Sequence, residues 1–73
     1  MFKVGDIVTI SQQGTRWCQL REGNFDGNGN NPYGIEGEVI AVGDWISVEW
    51  NNGWENNYRE GDLDLVRVDL ENK

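Results

Sequence analysis

A small all-β barrel of about five short antiparallel strands, carrying one long Gly/Asn-rich loop, is the fold this chain predicts. Three observations predict it. Strand-length apolar runs alternate with Gly/Asn corners from Gly37 to Tyr58; no segment keeps a 3.6-residue apolar period for three turns without a glycine interruption; and a length of 73 residues suits one domain. A chain this short buries only about 60% of the surface its unfolded form exposes. Four Trp, two Tyr and two Phe must therefore supply much of its core.

Taken in order, Val4 to Ile10 reads as the first strand, with Val4, Val8 and Ile10 on one parity and Ile7 and Thr9 on the other after Gly5-Asp6. From Ser11 to Gly34, Gly14, Gly23, Gly27, Gly29 and Gly34 mix with Asn24, Asn28, Asn30 and Asn31 before Pro32. That density of turn formers predicts a long loop and no helix. Trp17 and Leu20 are placed to pin its first half to the barrel, and a short irregular strand fits between Thr15 and Arg21. Gly37 to Val42 and Trp45 to Trp50 form a hairpin joined by Gly43-Asp44. Asn52-Gly53 predicts a type I′ turn that pairs Trp45–Trp50 with Trp54–Tyr58, giving a three-strand meander. Leu63, Leu65, Val66 and Val68 supply the closing strand, and Glu71 to Lys73 is expected to fray. Closing the barrel would remove its sheet edges.

Six basic against 13 acidic residues give a formal charge of -7. Such a surface favours solubility and repels phosphate backbones, so nucleic acid is a disfavoured partner. The single Cys18 forms no internal disulfide and implies no structural zinc, which fits a cytoplasmic address. Met1-Phe-Lys-Val-Gly-Asp lacks the apolar core of a signal peptide, and no apolar run reaches spanning length, so a membrane is not expected as partner.

Catalysis finds little support. There is no histidine, so Ser-His, Cys-His and His-metal arrangements are missing. Arg16 near Cys18 would lower its pKa, yet an isolated thiol is more often inert and buried. The Asp62/Asp64 and Glu36/Glu38 pairs are explained by one solvated strand face. Asn24-Phe-Asp26-Gly-Asn28-Gly29 matches the opening of a calcium loop, but position twelve is Ile35 and Glu36 comes one step late. An irregular site from Asp26, Asn28, Asn30 and Glu36 is the remaining metal reading; the expectation is a non-enzyme with no cofactor and no metal.

Recognition has the stronger case. Alternation puts Ile46, Val48 and Trp50 inward and Trp45 outward, while Trp54 follows the turn, where a large ring is hard to bury. Tyr33, Trp45, Trp54 and Tyr58, with Trp17 and Asn56, are the candidate lining of a shallow cleft against the long loop. The competing reading is that these rings only cover a small barrel. Arg59 either reads a ligand carboxylate or pairs with Asp62, Asp64 or Glu49 to brace the loop; the abundance of carboxylates favours bracing.

The string Val48-Glu49-Trp50-x-Asn52-Gly53-x-x-Asn56-x-Tyr58-Arg59-x-Gly61, followed by Asp62-Leu63, resembles the C-terminal half of the Mind bomb/HERC-type domain, a small SH3-like barrel. The likeness is best from Gly37 to Leu65, and Phe2-Lys-Val-Gly-Asp-Ile-Val also looks like the opening strand of SH3-like barrels. Upstream, Trp17 and Phe25-Asp26-Gly27-Asn28-Gly29 are similar to the family's tryptophan and Asp-Gly-rich loop. The resemblance implies protein or peptide recognition without catalysis. It departs at Asn51, where an acidic residue is usual, and at Trp54, where a small polar one is common; Trp54 points to a distinct partner or to self-association. The competing function is an acidic inhibitor or nucleic-acid mimic that occupies a basic groove on a host enzyme, which would suit a bacteriophage accessory protein.

Overall fold

The computed structural model describes residues 2–23, 27, 29 and 31–68. Five strands, β1 (Ile7–Ile10), β2 (Gly37–Val42), β3 (Ile46–Trp50), β4 (Glu55–Tyr58) and β5 (Leu63–Arg67), form one antiparallel sheet in the order β4-β3-β2-β1-β5. The meander is as expected, but the sheet is open. β5 returns to the free side of β1, no pairing joins β5 to β4 among the described residues, and both strands remain edges.

A helix, α1 (Gln12–Glu22), overturns the expected loop from Ser11 to Gly34 and the irregular strand between Thr15 and Arg21. Its ends explain why it forms. The Ser11 hydroxyl accepts from the Gly14 N–H at 3.0 Å, and Gly23, at φ 69, turns its own N–H back to the Gln19 carbonyl at 3.1 Å. Its buried face consists of Gly14 and Cys18, four residues apart. Gly14 lies so close to the Asp62 carbonyl and Ile10 that a Cβ would collide with them. The interruption that argued against a helix is thus the point where the helix meets the sheet. Trp17 and Leu20 do not pin this segment to the core, since they face outward, 46% and 76% exposed.

Two other expectations change. The first strand begins at Ile7 because Lys3 to Asp6 is a turn, closed by Asp6 N–H to the Lys3 carbonyl at 3.0 Å and by Lys3 N–H to Asp6 Oδ2 at 2.9 Å. The second hairpin is not type I′, because only Gly53 in it has positive φ, at 91. The Trp50 carbonyl accepts from Gly53 N–H at 2.9 Å and Trp50 N–H reaches the Trp54 carbonyl at 2.7 Å, a three-residue loop ending in a glycine bulge. The first hairpin loop likewise includes Trp45, because Val42 pairs with Ile46.

Val8, Ile10, Val39, Ile46, Val48, Trp50, Tyr58 and Leu63 form one core cluster on the inner face, flanked by Phe2, Tyr33 and Ile35. The inward set Ile46, Val48 and Trp50 is buried as alternation required. On the outer face Glu38 stands opposite Glu49, and Glu49 opposite Glu55, so three exposed glutamates run in a row across β2, β3 and β4. Like charges directly opposite cost stability. The calcium-loop positions Asp26, Asn28 and Asn30, and the expected fray from Glu71 to Lys73, lie outside the described residues. Among the described residues no helix is long and apolar enough to cross a membrane.

Candidate binding cleft

Where α1 leans over the inner face beside β4, it leaves an open cleft of about 600 Å³. Its helix wall is the face bearing Gln13, Trp17 and Arg21, residues four apart that stack along one side. The opposite wall carries Trp45 from the first hairpin loop, Asn56 and Tyr58 from β4, and Arg59 just beyond it. Trp17 is 46% exposed and Trp45 49%, so both indoles stand at the rim.

The Arg59 guanidinium carbon sits 4.9 Å from the centroid of the Trp45 ring. That is cation–π geometry, in which the ring quadrupole attracts the cation. The expected brace to Asp62, Asp64 or Glu49 does not form: among the described residues Arg59 makes no ion pair. Glu49 projects from the outer face with Glu38 and Glu55, away from the cleft. The Trp45–Arg59 pair also forms the ridge between this cleft and a second open groove of about 610 Å³ reached by Phe2, Val42, Asp44 and Glu60.

Beneath the rim lies a buried polar network that no single stretch of sequence discloses. The Tyr58 hydroxyl donates to Asn31 Oδ1 at 2.7 Å and accepts from Trp50 Nε1–H at 3.1 Å. Asn56 Nδ2 donates to the same Asn31 oxygen at 3.0 Å, and Asn31 Nδ2 donates to Glu22 Oε1 at 2.8 Å. The Trp50 and Tyr58 rings meet edge to face, centroids 5.6 Å apart at 78°. Burial, the larger influence, pushes the Tyr58 phenol up to about 12 against its hydrogen bonds with Trp50 and Asn56. Asn31 thereby ties the end of α1, the following loop and β4 together, and every buried polar side-chain atom among the described residues has a partner.

Of the residues expected to bind, the structure brings Trp17, Trp45, Asn56, Tyr58 and Arg59 to one cleft. Tyr58 enters as floor, buried and hydrogen-bonded, not as an exposed anchor. Tyr33 lies outside the lining, packed on the core with its hydroxyl at Cys18. Trp54 is exposed at the hairpin tip, also outside this cleft, with its N–H held by Asn52 Oδ1 at 3.0 Å. Neither family models, curated proteins nor solved structures match this chain.

Cys18 lies at the cleft floor and is buried. Burial pushes its thiol up, Glu22 and Asp62 add to the shift, and a hydrogen bond from Tyr33 opposes it. This is the reverse of the activation a nucleophilic cysteine needs. Glu36, the described member of the calcium reading, is engaged with Arg67, whose Nη1 lies 3.1 Å from its Oε1. No group of three metal-ligating side chains occurs among the described residues. Sequence reasoning missed Gln13 and Arg21 because it missed α1; Ser11 and Gly23, a capping residue and a terminating glycine eleven residues of helix apart, were the available signal.

Proposed function

We propose that this chain is a non-catalytic protein- or peptide-binding module that receives its partner in the cleft between α1 and β4. The observation that carries the reading is the pair of half-exposed indoles, Trp17 and Trp45, on opposite rims of one cleft with Arg59 against the second. The volume lies within the range of ligand clefts. Tryptophan and arginine are the residues that most often dominate binding energy.

An SH3-like architecture and kinship to the Mind bomb/HERC-type domain belong to the same proposal. Support comes from the core, to which both edge strands contribute, Tyr58 from β4 and Leu63 from β5, as a sheet curling toward closure requires. One-residue irregularities at Ile40 in β2 and Val66 in β5 add twist in the same sense. Within the shared string, Trp50, Asn56 and Tyr58 serve the buried network and Asn52 and Gly53 shape the turn. Most of the string thus accounts for a fold; Arg59 is its one member on the rim.

The row Glu38, Glu49 and Glu55 favours a second reading, in which an acidic face occupies a basic groove on a host enzyme. Immobilised protein, compared with Trp45→Ala and Trp54→Ala variants in capture from lysate at low and high salt with nuclease, separates the two. A salt-resistant protein band lost in Trp45→Ala and kept in Trp54→Ala is the result expected for the cleft. A salt-labile band that survives both substitutions would replace the cleft with charge mimicry, because contacts between exposed charges are screened.

A further inference from the structure

Resting on that reading, we infer that the cleft selects an extended protein segment in which an aromatic or large aliphatic side chain is flanked by a carboxylate residue. Charge is segregated over this surface. The molecule carries -7 overall, yet two of its six basic side chains, Arg21 and Arg59, line this one cleft. The outer face of the same strands carries the glutamate row. Glu22 and Asp62 also reach the cleft, but Glu22 already accepts the Asn31 amide. A cleft whose arginines balance its carboxylates is far less hostile to an acidic ligand than the rest of this surface.

Arg59 is held without being neutralised, since among the described residues it makes no ion pair. Its contact with Trp45 holds the guanidinium carbon 4.9 Å from the ring centroid. A guanidinium in cation–π contact keeps its charge and its planar fork of donors, the geometry that matches a carboxylate with two parallel hydrogen bonds. Each rim carries one tryptophan and one arginine, Trp17 with Arg21 and Trp45 with Arg59, so an apolar side chain between the indoles sets its neighbours' carboxylates beside the arginines.

The test is selection from a random 12-residue peptide display library on the intact protein, followed by synthesis of the enriched peptides and fluorescence anisotropy titration. The expected peptides carry Asp or Glu next to Trp, Phe or Leu. Changing that acidic residue to its amide in the peptide, which leaves the protein untouched, should cost more than tenfold in affinity. Arg59→Gln should cost as much, Arg59→Lys less, and the peptide change should cost little more once Arg59→Gln is present. Peptides that lack an acidic residue but still lose binding in Trp45→Ala would overturn the carboxylate inference while keeping the cleft. Failure to enrich any peptide, or binding indifferent to both Trp17→Ala and Trp45→Ala, would overturn the cleft and this inference together.

Discussion

Removing the Ser11 hydroxyl should cost far more than a surface serine normally does. The side chain is buried and has two tasks: its oxygen accepts from Gly14 N–H at 3.0 Å, and its O–H donates to the Gly61 carbonyl at 2.8 Å. The first bond caps α1; the second fastens α1 to the 3-10 turn Glu60–Asp62 that leads into β5. Loss of an N-cap costs about 1 kcal/mol, and loss of a part-buried hydrogen bond costs about 1 kcal/mol more. Ser11→Ala should therefore lower stability by about 2 kcal/mol, out of a total of about 4–11 kcal/mol expected for a domain of this size. The corresponding fall in Tm is about 8–16 °C. Urea unfolding followed by circular dichroism measures it, with Ser11→Thr as the variant that keeps both bonds and Ser11→Asp as the one that keeps only the cap. A Ser11→Ala loss under about 0.5 kcal/mol, the range of an ordinary surface change, would refute the double role.

Three further outcomes follow from the same geometry. Because the folded state holds the Tyr58 phenol protonated up to about 12 against an ordinary 10.0, its contribution is complete below about pH 10 and is lost as pH rises through 12; a stability profile over that window should fall, and the fall should shrink in Tyr58→Phe. Gly37→Ala should destabilise by about 1–3 kcal/mol, because its Cβ would stand 2.5 Å from the Trp50 ring and 2.6 Å from Val48 Cγ1; unfolding titrations check this. Glu49→Gln should raise Tm, more at low salt than at high salt, by relieving repulsion from both Glu38 and Glu55.

The sheet was legible because alternation is a local signal. Ile46, Val48 and Trp50 declared their inward face, Trp45 is exposed as expected although it sits in the hairpin loop and lines the cleft, and Asn52-Gly53 marked a hairpin even though the turn type differed. The helix was not, because its apolar pattern is inverted. Its largest apolar side chains, Trp17 and Leu20, face solvent, whereas its buried face is made of Gly14 and Cys18. A periodicity search weights size, and here close approach needed smallness. The cleft was half legible for the same reason: Trp45, Asn56, Tyr58 and Arg59 belong to strand and turn patterns, while the facing wall depends on α1. The network around Asn31 was beyond reach, because its partners lie 9, 25 and 27 residues away along the chain.

The uneven sheltering of the four tryptophans makes this chain its own optical instrument. Trp50 is 1% exposed and hydrogen-bonded to Tyr58, whereas Trp17, Trp45 and Trp54 are about half exposed. An indole's emission shifts with the polarity around it, so Trp50 is the chromophore that reddens when the core opens, while the rim indoles dim or shift blue when a ligand covers them. Occupancy and unfolding thus move the spectrum in opposite directions. Replacing Trp54, outside the cleft, with Phe would remove a bystander's light and leave a label-free readout able to tell a bound molecule from a melted one in a single titration.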